Sequence, residues 1–296
     1  MTQSDSMTVF DRALVRRRRD RAAPGFAGHD FLFTEAAERL AERLDMVRRD
    51  FRRALDLGCH FGAAGRLAAR TKRIETLVSC DLSPAMAARA GGLAVAADEE
   101  ALPFADGGFD LVVSALSLHW VNDLPGALIQ IRRALRPDGL FLGAMLGGGT
   151  LVELRRCLLE AELEITGGAA PRLSPFADLR DAGHLLQRAG FALPVVDAET
   201  VTVTWPDLFR LLADLRGMGE TNAVLARSRR PLRRAVLLEA ARRYAAGFAE
   251  PDGRIPASFQ ILYLSGWAPD PSQQQPLRPG SAKINLADVL TKPDER

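Results

Sequence analysis

The chain has 296 residues, of which 47% are hydrophobic, and its formal net charge is +2. This length and apolar content predict a single α/β unit with insertions and a sizeable core. Three widely separated cysteines exclude a disulfide framework and a clustered iron–sulfur motif, and no apolar run approaches the roughly 20 residues of a membrane span.

The amino terminus lacks the basic and then apolar order of a targeting segment, and residues 1–6 already contain an acid. We therefore expect no signal or transit peptide, and a cytoplasmic protein. The basic residues are nearly all arginine and alanine is frequent, a composition typical of a GC-rich bacterial genome.

An arginine-rich helix and an amphipathic segment at 35–47 come first along the chain and predict a helical cap over residues 1–50. Residues 16–19 are four consecutive arginines. Such a run either steers an acidic protein or nucleic acid toward a site or forms a solvated helix face. Asp11 and Asp20 dilute its charge, so the solvated face is favoured and no nucleic-acid partner is expected.

Strands then alternate with helices, which predicts an α/β fold with a doubly wound, mainly parallel, seven-stranded Rossmann-like sheet. A helix is expected at 62–69, helix starts at Ser83-Pro84 and near Pro125, and a turn at 136–139. The predicted strands lie at 53–57, 76–80, 93–96, 109–114, 140–144, 191–203 and 261–264.

A helical segment at 206–255 interrupts this alternation before the last strand. It would project over the carboxyl ends of the strands, where open α/β sheets bind ligands, so it is interpreted as a lid or partner-recognition insert. The predicted core therefore comprises 51–205 and 256–268. Residues 269–296 are expected to form an extended tail.

The turn after the first strand carries the most informative motif, in which Asp56 is followed by glycines at 58 and 62. Glycines at a strand-to-helix turn let a ligand approach the backbone. The motif resembles the D-x-G-x-G-x-G sequence of class I S-adenosylmethionine-dependent methyltransferases, with His60 at the middle glycine. Its spacing departs from the G-x-G-x-x-G of nicotinamide sites.

Acidic residues follow the next two strands, where the resemblance implies contacts to S-adenosylmethionine. Asp81 can accept both ribose hydroxyl protons, although the position also suits a helix N-cap. Asp98 follows the third strand, where this class binds the adenine amino group. The cofactor residues implied by the resemblance are Asp56, Gly58, His60, Gly62, Asp81, Leu82, Asp98, Glu99 and Ser114.

His119 and Trp120 follow the fourth strand, where the resemblance implies the acceptor side of the pocket, and they are the candidate catalytic residues. An aromatic residue at this spacing is equally consistent with core packing. The four histidines of the chain are too scattered for a recognisable metal motif, so no metal site is predicted.

Two sets of motifs narrow the resemblance. The general motifs lie at 10–12, 118–125, 149–155 and 174–176. They resemble a group that includes the biotin-pathway malonyl-acyl-carrier-protein methyltransferase. The more specific motifs, at 214–222 and 256–263, resemble the family of the mitochondrial complex I assembly factor with a methyltransferase fold, implicated as an arginine hydroxylase. The similarity extends over residues 10–290.

This specific resemblance implies an enzyme that modifies a protein during NADH dehydrogenase assembly, with an arginine of an iron–sulfur subunit as acceptor. The residues themselves explain methyl transfer more easily than hydroxylation, because methyl transfer needs orientation and no oxidant. Two alternatives stay open: malonyl-acyl-carrier-protein O-methylation in biotin synthesis, and a non-catalytic assembly chaperone, which the substitution at His60 suggests.

Overall fold

A computed structural model describes residues 8–72, 74–274 and 280–281. The strands in these residues are β1 (Arg53–Leu57), β2 (Thr76–Asp81), β3 (Leu93–Ala96), β4 (Phe109–Ala115), β5 (Leu135–Leu146), β6 (Ala192–Trp205) and β7 (Ile255–Trp267). They form one sheet in the order β3-β2-β1-β4-β5-β7-β6, with β7 antiparallel to both of its neighbours. The predicted mainly parallel, seven-stranded α/β fold is confirmed.

Helices cover both faces of this sheet. They are α1 (Arg12–Ala22), α2 (Phe31–Asp45), α3 (Ala63–Thr71), α4 (Pro84–Ala90), α5 (Leu124–Ala134), α6 (Val152–Thr166), α7 (Leu179–Arg188), α8 (Leu208–Gly217) and α9 (Arg234–Phe248). Helices α2, α3, α6, α8 and α9 contribute to one apolar core, and α5 and α7 to the other. Because both faces are covered, every residue of the central strand β4 is buried.

The predicted helix starts coincide with side-chain caps. The Ser83 hydroxyl accepts the Met86 backbone N–H at the start of α4, and the Asp123 carboxylate accepts the Gly126 N–H at the start of α5. Asp11 caps α1 in the same way. Helix α1 packs against α4, so its inner face lies near the carboxyl end of β2.

Two details differ from the sequence-based expectation. The turn predicted at 136–139 lies within β5, where Asp138 has a φ of +58° and the pairing register with β4 shifts. Strand β7 begins at Ile255, earlier than predicted, because it pairs with the long strand β6 from Trp205 back to Ala192. Alternate residues in the first part of β7 are buried. Residues 1–7 and most of the predicted tail, at 275–279 and 282–296, lie outside the described residues.

Candidate cofactor crevice and insert cavity

Two glycines shape the turn between β1 and α3. Gly58 has a φ of +63° and Gly62 a φ of +83°, both in the left-handed region that favours glycine. A Cβ on Gly58 would lie 2.1 Å from the Cβ and Oγ of Ser117, in the loop after β4. Glycine at 58 therefore permits two loops at the carboxyl ends of adjacent strands to pack together.

The His60 side chain fills the space beside this turn. It is 2% exposed, its ring stacks on Phe26 with centroids 5.6 Å apart, and it meets the edge of Phe33 at 4.4 Å. Nε2 donates to the Leu116 carbonyl at 3.2 Å, and Nδ1 has no partner among the described residues. Burial, with repulsion from Arg19, lowers the pKa of His60 to about 3. His60 is thus a neutral ring packed beneath the amino-terminal segment.

Asp56 lies at the base of the turn and holds the start of α3. Its Oδ2 accepts the Gly65 backbone N–H at 2.9 Å, and Oδ1 has no partner in the described ranges. Burial raises the pKa of Asp56 to about 7. The Oγ of Ser114, buried in β4, also lacks a partner within the described part of the chain. Both are buried polar groups with unused hydrogen-bonding capacity.

Asp81 links the glycine turn to the start of α4. Its Oδ2 accepts the His60 backbone N–H at 2.9 Å, and its Oδ1 accepts the Ser83 N–H at 2.7 Å. The alternative that Asp81 is itself the helix N-cap is wrong, because Ser83 has that position. The Asp81 carboxylate is fully buried at the carboxyl end of β2.

Arg19 of α1 lies directly against this carboxylate. Its Nη1 is 3.4 Å from Asp81 Oδ1 and 3.2 Å from Glu99 Oε1, and its Nη2 donates to the Ser117 hydroxyl at 3.0 Å. Arg19 is 1% exposed and both acids are fully buried. Burial raises the pKa of Asp81, although the positive charge of Arg19 favours the ionised carboxylate and acts in the opposite direction. We call this buried cluster of four residues the acid crevice.

The expectation of a solvated face at residues 16–19 is wrong for its last member. The first two arginines are exposed, whereas Arg19 follows the buried Val15 by four residues and shares its helix face. Burial acts to lower the pKa of Arg19, but attraction to Asp81 and Glu99 outweighs it and raises the pKa. The guanidinium therefore stays charged. A buried cation of this kind requires paired acids, which the sheet supplies.

Glu99 contributes to the acid crevice more directly than Asp98 does. The Asp98 side chain is 33% exposed and accepts Arg12 Nη2 at 2.5 Å. Glu99 is fully buried and contacts Arg12, Arg19 and the Ser117 hydroxyl. Burial acts in the opposite direction, but Arg12 and Arg19 lower the pKa of Glu99 to about 2. Glu99 is therefore an ionised acid at neutral pH.

The candidate catalytic residues His119 and Trp120 share one carboxylate. Trp120 Nε1 donates to Glu220 Oε2 at 2.8 Å, and His119 Nε2 lies 3.0 Å from the same oxygen. The Leu146 backbone N–H approaches His119 Nδ1 at 3.5 Å, which assigns the ring proton to Nε2. Trp120 also belongs to the small apolar cluster against which Leu82 packs, outside the acid crevice.

A cavity of about 200 Å³ lies beside Glu220, between the sheet and the helical insert. We call it the insert cavity. Its apolar lining includes Trp120 and Leu146 from the sheet side and Leu215 and Met218 from the insert. Its polar lining consists of Thr150, Arg172, Ser174, Arg216, Glu220, Thr221 and Asn222. His119 supports Glu220 from behind and does not line the cavity.

Arg12, Arg19 and Glu220 were not predicted as site residues from the sequence. Arg12 and Glu220 lie in motifs used for the family resemblance, and the spacing of Arg19 from Val15 signals a buried position. Their hydrogen-bond partners are 62 to 108 residues away along the chain. Pairings of that range depend on the packing of α1 and the insert against the sheet.

Among the described residues, no group of three or more His, Cys, Asp or Glu side chains is arranged to hold a metal ion. His29 pairs instead with Asp214, at 2.9 Å. No helix in the described ranges is long and apolar enough to cross a membrane.

Comparison with known proteins places this geometry in context. The methyltransferase domain family matches residues 55–143, from β1 into β5. The chain is 43% identical to the protein named arginine-hydroxylase NDUFAF5, mitochondrial, from Danio rerio over 292 residues, covering 96% of this chain and 90% of that protein. It is 36% identical to the malonyl-[acyl-carrier protein] O-methyltransferase of Halorhodospira halophila, covering 98% of each.

A solved structure with the same fold is the phosphoethanolamine N-methyltransferase 2 of Haemonchus contortus in complex with S-adenosyl-L-methionine. It has a TM-score of 0.53 and 18% identity, covering 86% of this chain and 60% of that one. At this identity the likeness concerns the fold alone. The two sequence relatives cover nearly the whole chain, including the acid crevice, the insert cavity and the insert.

Proposed function

Because this chain belongs to the family of the mitochondrial arginine hydroxylase NDUFAF5, we propose that it is an S-adenosylmethionine-binding enzyme that hydroxylates an arginine side chain of a partner protein. The observation that carries the proposal is 43% identity over 96% of the chain. The partner we propose is an iron–sulfur subunit of NADH dehydrogenase during its assembly, in the cytoplasm of a bacterium. The arginine-hydroxylase relative is mitochondrial, so this setting stays a prediction.

The acid crevice suits the proposed cofactor chemically. Ribose hydroxyls and the adenine amino group are hydrogen-bond donors, and the buried carboxylates of Asp81 and Glu99 already accept donors at the carboxyl ends of β2 and β3. Gly58 and Gly62 carry no side chain of their own, but Ser117 packs against Gly58, and Ala90 and Arg66 pack against Gly62. When bound, the cofactor would supply a methyl group on an electrophilic sulfonium, which serves the alternative methyl transfer and is not consumed by hydroxylation.

Arg19 must withdraw before these acids bind a ribose. Its guanidinium occupies the oxygens of Asp81 and Glu99 that the hydroxyls would use, and it is almost inaccessible to solvent. The movement required is that of α1, which joins the rest of the chain through the turn containing Phe26. We propose that cofactor binding and displacement of Arg19 are a single exchange at the acid crevice.

Hydroxylation converts one C–H bond of the arginine side chain into C–OH. With dioxygen as the oxidant, one oxygen atom would enter the C–OH group and the other would leave as water, and a reduced nicotinamide or a dithiol outside this chain would supply the two electrons and two protons. The insert cavity is the proposed place for the reacting side chain, because its apolar wall excludes water and Glu220 supplies a fixed charge.

Two alternative functions each have one observation in their favour and one requirement that tests them. Malonyl-acyl-carrier-protein O-methylation is represented by a relative of lower identity, 36%. It requires that the chain restore biotin-independent growth to a strain lacking that enzyme. A non-catalytic assembly chaperone is favoured by the occupation of the acid crevice by Arg19 and requires partner capture without cofactor binding.

Calorimetric titration with S-adenosylmethionine tests the enzyme proposal against the chaperone. We expect saturable binding by the wild-type protein and a loss of about fivefold to 150-fold in affinity in Asp81→Ala, since an uncompensated donor costs about 1–3 kcal/mol. The exposed Asp207, which caps α8, offers a control through Asp207→Asn. Absence of binding by the wild-type protein would contradict the cofactor assignment.

A further inference from the structure

The lining of the insert cavity includes one carboxylate, that of Glu220, and contacts with neighbouring side chains hold this group through one of its two oxygens. We infer that Glu220 binds the guanidinium group of the acceptor and selects arginine over uncharged side chains. The inference rests on the proposed function, because it concerns the substrate of that same site.

The backbone of Glu220 is fixed by the end of α8. Gly219 has a φ of +80°, which turns the chain back toward the sheet after the helix. The Glu220 N–H then donates to the Leu215 carbonyl at 3.0 Å. Glu220 is therefore held by a helix-terminating turn, and its side chain starts from a defined point beside the sheet.

The carboxylate itself is held through only one of its oxygens. Oε2 accepts from Trp120 Nε1 at 2.8 Å and faces His119 Nε2 at 3.0 Å. Oε1 has no hydrogen-bond partner among the residues that the structure describes. Although burial opposes it, attraction to His119 and Arg19 lowers the pKa of Glu220, so the group is ionised. One oxygen of a fixed anion is thus free to accept from a ligand.

The surroundings of Glu220 select a long cationic side chain. The cavity of about 200 Å³ is below the usual size of drug-sized ligand pockets, so it fits a side chain better than a whole cofactor. Its apolar wall suits the methylenes of arginine, and a carboxylate matches the planar guanidinium fork. The Glu220 side chain is only 7% exposed, which strengthens its attraction to a cation.

The same charge disfavours a carboxylate substrate. A malonyl group would bring a second anion toward Glu220, and Arg172, one of the two arginines that line the cavity, is already bound by Glu162. Arg216 lies exposed on the α8 side of the cavity, where it would meet the backbone or an acidic neighbour of the acceptor. The arrangement therefore favours an arginine of a protein.

The test compares two small probes, Nα-acetyl-arginine methylamide and its citrulline counterpart, which differ in charge but closely resemble each other in shape. Binding to the full-length protein is measured by ligand-observed NMR, with and without S-adenosylhomocysteine. We expect the wild-type protein to prefer the arginine probe by about tenfold to a hundredfold, and Glu220→Gln to lose that preference. Glu38→Gln, at an exposed position of α2, is the matched control and should keep it.

Equal binding of the two probes by the wild-type protein would overturn the inference, and so would an unchanged preference in a folded Glu220→Gln variant. Thermal melts establish that the variant is folded; if it is not, Glu220→Asp, which keeps the charge, must retain a preference for arginine. These readouts do not depend on turnover. If the wild-type protein preferred the arginine probe but hydroxylated no arginine, the proposed function would be contradicted and the inference about Glu220 would not.

Discussion

Removal of the Arg19 guanidinium gives the most direct physical test of the acid crevice. Arg19→Met keeps an unbranched stem but leaves Asp81 without the cation that faces it and leaves Glu99 paired with Arg12 alone. Breaking a buried ion pair by removing one partner costs about 3–5 kcal/mol. Because Arg19 is 1% exposed and both acids are fully buried, we expect a loss within that range in the free energy of unfolding at neutral pH.

The loss should depend on pH with a defined sign. In the wild-type protein Glu99 has a pKa lowered to about 2, so its stabilising contribution is present above the unfolded pKa and disappears as the pH falls through about 2. In the variant the acids lack Arg19 and take up protons more readily, and protonation removes the buried charge. The deficit should therefore be largest near neutral pH and shrink below about pH 4.

Urea unfolding followed by tryptophan fluorescence, at neutral and acidic pH, measures this difference. Arg17→Met, at an exposed position of the same helix, is the control and should change stability by less than about 0.5 kcal/mol. S-adenosylhomocysteine should stabilise Arg19→Met more than the wild-type protein, because the variant has no competing cation. The reasoning would be refuted if Arg19→Met were as stable as the wild-type protein at neutral pH. It would also be refuted if the variant's loss in free energy of unfolding were the same at acidic pH.

The glycine turn and His60 give two further expectations. Gly58→Ala should disrupt the folded turn and lower the melting temperature strongly, because the added Cβ would lie 2.1 Å from Ser117. Gly167→Ala is the comparison: Gly167 has a φ of +72° but open space around it, so this substitution should cost only about 1 kcal/mol of stability. His60→Gly should lower stability by about 1–3 kcal/mol, because the space under Phe26 is emptied while a left-handed strain is relieved. Cofactor titration of the same variant should show unchanged affinity; a large gain would assign His60 a blocking role.

Most of the fold could be predicted because its signals are local. Apolar runs and turn residues located the strands, and the Ser83-Pro84 pair marked a helix start that the hydroxyl of Ser83 indeed caps. The turn signal at 136–139 is retained inside a strand: the pairing of β5 with β4 passes from Leu135 to Leu140 and skips these residues, and Asp138 has a positive φ.

The site was harder to predict because its parts come from distant segments. Asp81 and Glu99 could be placed at strand ends, since parallel strands bring their carboxyl ends to one edge of a sheet. Nothing local indicates that Arg19 lies against them, 62 residues from Asp81, or that Glu220 holds Trp120 from 100 residues away. Those contacts depend on how α1 and the insert fold back over the sheet.

Mass spectrometry of the NADH dehydrogenase iron–sulfur subunit, isolated from cells with and without this protein, tests the central claim most directly. We predict that an arginine-containing peptide of that subunit carries the added mass of one oxygen atom only when the protein is present. Cells that produce the protein with Glu220→Gln should lack the modification, while those with Glu38→Gln should retain it. A gain of one methyl group, or identical peptides from both strains, would contradict the proposed hydroxylation.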